Sequence, residues 1–251
     1  MSYPLRVEFE DARVWKHMIA SIEKVIDEAV FLFTEEGLKL RALDTSHVVM
    51  VDLYYPNSSF TTYEVQGEVA LGVSFDVLSK ILKRATKRDA LGIRFDGSMI
   101  EVVFTGRGER KFRFPQIELS LEKLPEPKIE FTVKFKMLSN IFREAVKDLS
   151  TVGESVTVRA FEGEDRVIMS GKGDIGEAEV DLSLESQSLL DVAIESPDSS
   201  SYSLEYFDIM LQAAQAADVV GFSYSADAPA RVDLEYQAGG RLTFYVSPRV
   251  E

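Results

Sequence analysis

The sequence contains no cysteine, only two histidines and a single tryptophan, and its longest apolar runs have the length of a β-strand. Without cysteine, neither a disulfide bond nor a thiolate metal site can form. Runs of strand length are too short for a transmembrane helix, so we expect an intracellular protein. The chain also has neither a G-x-S-x-G nor a P-loop motif. We therefore expect no catalytic residue, no metal and no cofactor.

One pattern occurs four times in the 251 residues. Each copy has an apolar-striped helical segment, an acidic residue, a β-rich run, a tight acidic or glycine turn and a second β-rich run. The acidic residues are Glu28, Asp89, Glu154 and Asp218, spaced about 61 to 65 residues apart. Two copies per domain predict an α+β fold of two similar domains, each a duplicated unit of helix and antiparallel sheet.

A stretch near the middle of the chain contains Pro125 and Pro127. Proline cannot donate to a sheet ladder, and it forces an extended backbone on the residue before it. We therefore predict an N-terminal domain over residues 1–118, a connecting linker over 119–128 and a C-terminal domain over 129–251.

Positive charge is concentrated in the helical segments. The whole chain has a net charge of -14, yet the windows 13–24, 75–88, 136–147 and 206–217 together carry +7. Bases share helix faces, as do Lys80, Lys83, Arg84 and Lys87. A solvated helix face explains any one such group, but three basic helices in an acidic chain indicate a positive inner surface and a negative outer one.

Two segments predict complementary sheet edges. Residues 110–114 alternate base and aromatic, whereas residues 177–182 alternate acid and apolar. Open edges must be covered or paired, and end-to-end pairing between copies closes a ring when the rotation permits. The predicted subunit interface consists of Lys111, Phe112, Arg113 and Phe114 on one copy, and Ala178, Glu179, Val180 and Leu182 on the next.

Five blocks of sequence carry a resemblance to a known family. They are Leu43–Leu53 (LDTSHVVMVDL), Ser79–Lys83 (SKILK), Lys147–Gly153 (KDLSTVG), Ser225–Pro229 (SADAP) and Phe244–Arg249 (FYVSPR). In this order the chain resembles the sliding clamps of the proliferating cell nuclear antigen (PCNA) family, archaeal type. The resemblance implies the DNA clamp fold and a ring of three subunits around duplex DNA, without sequence specificity. It also implies a processivity factor for DNA polymerase, found in the cytoplasm or nucleoid of an archaeon.

The resemblance further implies two kinds of site. Enzymes such as DNA polymerase, flap endonuclease and DNA ligase would dock short apolar and aromatic motifs in a groove, and a clamp loader would open the ring. Groove positions carried over from the family are Leu43, Val48, Met50, Leu124, Pro229, Tyr245, Val246 and Pro248. DNA-facing positions carried over are Lys16, His17, Lys80, Lys83, Arg84, Arg143 and Lys147.

This sequence departs from the family pattern in two places. Its fourth helix has Gln212 where a base is common, with Asp208 nearby, and its linker reads Leu124-Pro125-Glu126-Pro127, without one of the usual apolar contacts. A weaker positive lining fits a ring of three identical subunits, which we favour slightly, but it also fits a mixed ring in which sister subunits supply the bases.

Other interpretations of the sequence remain open. A carboxylate-dependent hydrolase would use Asp44 and Asp227, although Asp44 is more simply a cap of the Thr45-Ser46 turn. A clamp-like checkpoint adaptor would share the fold. Residues 171–176 spell G-x-G-x-x-G, but the alternating residues after them predict a strand, whereas a dinucleotide site needs a helix there.

Overall fold

Segments of alternating apolar and polar residues form strands, and segments with apolar residues every three or four positions form helices. A computed structural model describes residues 3–121 and 124–249. By internal contacts the chain divides into two units. Unit 1 falls within Met1–Leu43, Val51–Leu124 and Tyr236–Leu242, and unit 2 within Asp44–Met50, Pro125–Glu235 and Thr243–Glu251. The linker predicted over 119–128 includes Glu122 and Lys123, which lie outside the described residues, and the domain boundaries stay a prediction.

Unit 1 contains the first two copies of the repeat. Its elements are β1 (Leu5–Phe9), α1 (Ala12–Ile22), β2 (Glu28–Thr34), β3 (Gly37–Leu43), β4 (Val49–Pro56), which enters this unit at Val51, β5 (Thr62–Val65), β6 (Val69–Ser74), α2 (Phe75–Leu82), β7 (Ala90–Phe95), β8 (Met99–Thr105) and β9 (Glu109–Pro115). One antiparallel sheet has the order β5-β1-β7-β8-β9. In addition, β2 pairs with β3 on one side and β6 on the other.

Unit 2 contains the other two copies. Its elements are β10 (Val133–Leu138), α3 (Ser139–Ser150), β11 (Ser155–Ala160), β12 (Arg166–Gly173), β13 (Gly176–Ser183), β14 (Asp191–Ile194), β15 (Ser199–Ser203), α4 (Leu204–Ala214), β16 (Val219–Tyr224), β17 (Ala230–Glu235) and β18 (Arg241–Val246), which enters this unit at Thr243. One sheet has the order β13-β12-β11-β15. Separately, β10 pairs with β14 and β16, and β16 pairs with β17.

Each helix buries one apolar face. In α1 the fully buried side chains include Trp15, Met18 and Ile19, and in α3 they include Phe142 and Leu149. Within unit 1, α1 packs against α2, and within unit 2, α3 packs against α4. Burying one stripe of each helix leaves the opposite stripe free for polar and charged side chains.

The two helices of each unit begin in a reciprocal arrangement. The amide of Ala12, first in α1, donates to the carbonyl of Asp89 before β7, and the amide of Phe75, first in α2, donates to the carbonyl of Asp27 before β2. Unit 2 repeats this: Ser139 at the start of α3 donates to Asp218, and Leu204 at the start of α4 donates to Glu154. Each helix start is thus held by the turn that follows the other helix.

Some predicted positions shift in the structure. The acid equivalent to Asp89, Glu154 and Asp218 is Asp27 and not Glu28, which opens β2. Lys136 opens the helical window 136–147 that the sequence predicts, but it lies on β10 and pairs with Glu235, because α3 begins only at Ser139. Of the bases expected on one face of the second helix, Lys83, Arg84 and Lys87 follow the end of α2 at Leu82.

Among the described helices, none has both the length and the hydropathy needed to cross a membrane.

Candidate functional site

The cationic positions of unit 1 lie on α1, on α2 and just after α2. Lys16 and His17 are half-buried on α1, whereas Lys80, Lys83 and Arg84 are exposed. Two of these bases already have acidic neighbours. Lys80 Nζ lies 2.7 Å from Asp76 Oδ2, and Lys83 Nζ lies 3.6 Å from Glu23 Oε2. Such exposed pairs contribute little to stability, so both ammonium groups can still exchange a carboxylate for another anion.

The corresponding surface of unit 2 is less positive. Lys147 on α3 is exposed, and Arg143 is half-buried with its Nε buried and without a hydrogen bond to any described residue. The exposed side chains of α4 are Glu205, Asp208 and Gln212, and Gln215, which follows the end of α4 at Ala214, is also exposed. The sequence departs from the family pattern by lacking a base at Gln212, and in the structure this leaves the exposed face of α4 without positive charge.

Six of the predicted groove residues belong to unit 2: Val48, Met50, Pro229, Tyr245, Val246 and Pro248. Met50 and Pro229 are half-buried, Tyr245 is 6% exposed and Val246 is fully buried. The amide of Ser247 donates to the carbonyl of Val48 over 3.0 Å, so the loop before β4 is bonded to the segment after β18. Half-buried apolar side chains beside buried ones suit the docking of another apolar group.

Asp44 organises the loop that carries Val48. Its carboxylate accepts hydrogen bonds from the amides of Ser46, Val48 and Val49 at 3.1, 2.7 and 2.7 Å. Partial burial opposes ionisation, but the bonds from Ser46, Val49 and Val48 outweigh it and hold the pKa of Asp44 below its usual value. The predicted capping role of Asp44 is confirmed. A carboxylate held by several amides is poorly suited to act as a general base.

A cation that the sequence did not single out lies beside Tyr245. The guanidinium of Arg231 is 6.0 Å from the centre of the Tyr245 ring, and its Nε lies 2.9 Å from Asp233 Oδ2. Thr243 Oγ1 donates to Asp233 over 2.6 Å. Alternation along β17 places Arg231 and Asp233 on one face, which was the available sequence signal.

The other two predicted groove residues belong to unit 1. Leu43 ends β3 and is half-buried. The carbonyl of Leu124 accepts a hydrogen bond of 3.1 Å from Arg41 Nη1, and Arg41 Nε donates to Asp52 over 2.8 Å. The Arg41–Asp52 pair therefore fixes the backbone at Leu124.

Both segments predicted for the subunit interface lie on outermost strands. Lys111–Phe114 are in β9, at one end of the sheet of unit 1, and Ala178–Leu182 are in β13, at one end of the four-stranded sheet of unit 2. On β9 the exposed residues alternate with half-buried Phe112 and Phe114. On β13 exposed acids alternate with Ala178, Val180 and Leu182. The structure thus gives each strand a charged face and an apolar face.

One other sequence signal has a structural explanation. Residues 171–176 form the β12–β13 hairpin, in which Gly173 is opposite Gly176, and the predicted strand after them is confirmed. Across residues 3–121 and 124–249, no three His, Asp or Glu side chains form a possible metal-binding cluster.

Comparisons with known proteins agree along the whole chain. The family described as "Proliferating cell nuclear antigen, N-terminal domain" matches residues 4–128, and the family described as "Proliferating cell nuclear antigen, C-terminal domain" matches residues 125–249. DNA polymerase sliding clamp 3 of Aeropyrum pernix is 56% identical over 247 residues, 98% of each chain. The DNA polymerase sliding clamp of Thermofilum pendens is 36% identical over 97% of this chain and 98% of its own.

Solved structures give the same result. A chain of the PCNA2–PCNA3 complex from Sulfolobus tokodaii matches with a TM-score of 0.91 and 31% identity, over 98% of this chain and 100% of that one. PCNA from Thermococcus kodakaraensis matches with a TM-score of 0.91 and 30% identity, over the same shares. The predicted fold class, two similar domains of duplicated helix and antiparallel sheet, is confirmed.

Proposed function

The chain belongs to the proliferating cell nuclear antigen family of DNA polymerase sliding clamps, and from this membership we propose that it closes into a three-subunit ring around duplex DNA. In that ring it acts as a processivity factor that tethers replication and repair enzymes. The observation that supports the ring best is the fourfold repeat. In each unit, the first amide of each helix donates a hydrogen bond to a carbonyl in the turn that follows the other helix. A duplicated, pseudo-symmetric scaffold suits a symmetric partner such as a duplex, whereas an active site concentrates unlike residues in one place.

Ring closure would join β9 of one subunit to β13 of the next. Both are outermost strands of their sheets. Their exposed side chains carry opposite charges, which are positive at Lys111 and Arg113 on β9 and negative at Glu177, Glu179 and Asp181 on β13. Pairing would satisfy the open backbone groups of both edges and bring opposite charges together. The half-buried residues Phe112, Phe114, Ala178 and Val180, with buried Leu182, would supply the apolar side of the interface.

The proposal leaves open whether the three subunits of the ring are identical. Three copies of this chain would present three α4 helices with Glu205 and Asp208 exposed, which weakens attraction to phosphate. The solved Sulfolobus tokodaii complex contains two different PCNA chains, and the Aeropyrum pernix relative carries the number 3 in its name. We keep the ring of identical subunits as the first expectation and the mixed ring as its alternative.

The predicted DNA-facing set is Lys16, His17, Lys80, Lys83, Arg84, Arg143 and Lys147. Five of these residues lie on α1, α2 and α3 and the other two directly follow α2, in a chain with a net charge of -14, which supports this role. Because a closed ring holds DNA by topology, these residues need only loose contacts with phosphate. Direct binding to short linear duplex should accordingly be weak.

Partner enzymes would dock in the groove predicted at Leu43, Val48, Met50, Leu124, Pro229, Tyr245, Val246 and Pro248. A DNA polymerase, a flap endonuclease and a DNA ligase are the expected partners, and a clamp loader would open the ring. Burying one aromatic side chain in an apolar pocket contributes about 2 to 3 kcal/mol, enough for a short motif to bind with micromolar strength when a few further contacts are added. The half-buried Met50 and Pro229 support this assignment.

The chain would perform no chemistry itself and would act where genomic DNA is replicated. The hydrolase alternative has no support from the comparisons, and the carboxylate of Asp44 is engaged by backbone amides. The checkpoint adaptor has no support from them either.

Light scattering on the purified chain tests ring closure. A mass of ~84 kDa, three times the 28.1 kDa chain, would support a ring of identical subunits. A monomer that assembles only after sister chains are added would support the mixed ring. A monomer under both conditions would contradict ring closure.

A further inference from the structure

A single cation lies beside the apolar side chains predicted to receive partner motifs. Arg231 is on β17, where half-buried Arg231 and Asp233 alternate with buried apolar residues. Its guanidinium carbon is 6.0 Å from the centre of the Tyr245 ring, which is on the neighbouring strand β18. Arg231 is therefore in contact range of a predicted groove residue, although it is not a member of the predicted set.

The surface around Tyr245 continues to Met50. The amide of Ser247, two residues after Tyr245, donates to the carbonyl of Val48, two residues before half-buried Met50. All of these residues and Arg231 belong to unit 2. A side chain docked against this part of the groove would thus have the cation at its edge.

Asp233 holds the guanidinium of Arg231 by one edge. Arg231 Nε lies 2.9 Å from Asp233 Oδ2, and Thr243 Oγ1 donates to Asp233 Oδ1 over 2.6 Å. The side chain of Arg231 keeps 25% of its surface exposed. A planar guanidinium held by its edge still has its face available for stacking. Because it is already held in place, it loses little entropy when a ligand binds.

The charges around Arg231 favour an aromatic ligand over an acidic one. Burial opposes the charge of this side chain, but Asp233, with Tyr245 and Glu126 adding to the effect, raises the pKa of Arg231 overall. A carboxylate from a partner would meet the negative charges of Asp233 and Glu126 next to the cation. An aromatic ring carries no net charge, and the negative face of its π-system attracts a cation.

The repeat shows that the fold does not require arginine at this position. Five residues after the acid that bonds the helix start come Arg94 in β7 and Ser223 in β16. Arg94 is opposite Glu101 on the next strand, and Ser223 is opposite Arg231. Unit 1 thus has an acid where unit 2 has Arg231, and this acid pairs with Arg94 over 3.4 Å. The cation at residue 231 is a feature of the surface of unit 2.

We propose that the guanidinium of Arg231 binds the face of an aromatic side chain in the docking motif of a partner protein, and that it makes the groove prefer an aromatic residue to an aliphatic one of equal size. The inference rests on the proposed function, which assigns the groove. It adds a residue to the groove and a physical basis for partner selection.

The experiment measures how affinity depends on the electron density of the partner ring. Ring fluorines withdraw electrons from the face of a phenylalanine ring and so weaken its attraction for a cation. A peptide from a partner polymerase carries phenylalanine with no, one, two or three ring fluorines, at each aromatic position of its motif in turn. Calorimetric titration measures binding of each peptide to the full wild-type chain and to Arg231→Met, which keeps a long side chain without the charge. Arg231→Gln is a second neutral variant that keeps a donor for Asp233.

Arg6→Met is the matched control. Arg6 pairs with Glu8, two residues along β1, just as Arg231 pairs with Asp233 along β17, but it is in unit 1 and outside the predicted groove. Melting temperatures of all chains are measured alongside, so that loss of binding through unfolding is recognised.

At one aromatic position, we expect three fluorines to weaken binding to the wild type by about fivefold relative to their effect on Arg231→Met. This is the size of one partly desolvated contact between a cation and a ring. The neutral variant Arg231→Gln should behave as Arg231→Met, and Arg6→Met should behave as the wild type.

Three results would overturn the inference. The same dependence on fluorine in the wild type and in both neutral variants would exclude Arg231 as the aromatic contact while leaving the groove in place. Loss of the dependence in Arg6→Met as well would show that it reflects the overall charge of the chain. Wild-type protein that binds none of the peptides would remove both the inference and the predicted groove.

Discussion

The backbone amide of Ala12 lies 2.9 Å from the carbonyl oxygen of Asp89, so the first turn of α1 is bonded to the residue that precedes β7. The amide of Phe75 meets the carbonyl of Asp27 at the same distance. Only main-chain atoms make these two bonds, so the repeat can tolerate different side chains at equivalent positions. The side chain of Asp89 is therefore available for other contacts, and its carboxylate accepts hydrogen bonds from the amide of Thr86 and from Arg110.

We predict that Asp89→Asn destabilises the protein by about 2 to 3 kcal/mol, because it leaves a 5% exposed group imperfectly paired with Arg110 and the amide of Thr86. The matched control is Asp27→Asn, at an exposed position with the same backbone role, which should change stability by less than about 0.5 kcal/mol. Urea unfolding followed by circular dichroism measures both. Equal losses in the two variants would contradict a special role for the Asp89 side chain.

A second prediction concerns Asp96 in the β7–β8 turn. Hydrogen bonds from the amides of Met99 and Ser98 lower its pKa to about 2, with Arg113 adding to the effect. A lowered pKa means that the ionised form stabilises the fold above the ordinary value of about 3.9, and that this stabilisation disappears as the pH falls through about 2. NMR titration of the Asp96 carboxyl should find a midpoint near 2. In Arg113→Ala the midpoint should rise only in part, because the amide bonds remain, and a midpoint near 3.9 in the wild type would refute the turn geometry.

Met50→Asp should abolish binding of partner peptides with an apolar and aromatic motif. It places a charge on a half-buried position of the predicted groove, where docking would have to desolvate it. Leu190→Asp is the control, because Leu190 is 50% exposed in the same unit and outside the groove. Calorimetric titration with a polymerase-derived peptide should show reduced affinity only in Met50→Asp, with similar melting temperatures for both variants. Unchanged affinity in Met50→Asp would remove Met50 from the groove.

Tyr245 is a poorer test position than the sequence indicates. From the sequence, Tyr245→Ala is expected to disrupt docking at little cost to the melting temperature. The side chain is only 6% exposed and lies beside Arg231, so its truncation also removes core packing. Large aromatic-to-alanine changes in a core cost about 3 to 5 kcal/mol. Loss of peptide binding in that variant would not separate docking from stability.

Reversing charge on β9 should weaken assembly. In the double variant Lys111→Glu and Arg113→Glu, acids would face the acids of β13, and the mass by light scattering should fall toward that of one chain. The bases now pair with exposed Glu109 and partly exposed Asp96, contacts that contribute little to folding. Adding Glu177→Lys and Glu179→Lys should restore assembly. Full assembly of the double variant would exclude β9 from the interface.

The sequence predicted the helices and strands because their apolar periods are strong. Its errors lie at element ends, where periodicity carries little information. Lys136 continued the helical spacing of Asn140 and Arg143, yet the alternation of Val133, Phe135 and Met137 as buried residues makes that segment a strand. Glu28 and Asp27 are adjacent acids, and only the hydrogen bond from Phe75 distinguishes them.

At the sites as well, contacts between residues close in sequence could be predicted, whereas contacts between different strands could not. The turn at Asp44 could be predicted, because its side chain bonds to amides two to five residues away. The contact between Arg231 and Tyr245 depends on the neighbouring positions of β17 and β18, which no local pattern gives.

Topological retention on DNA tests the central claim most directly. The protein is loaded onto a nicked circular plasmid by its clamp loader, and free protein is removed by gel filtration at high salt. We predict that the chain stays with the circular DNA and is released when a restriction enzyme linearises it, because a closed ring slides off a free end. Equal retention on circular and linearised plasmid would contradict an encircling clamp and would indicate ordinary surface binding instead.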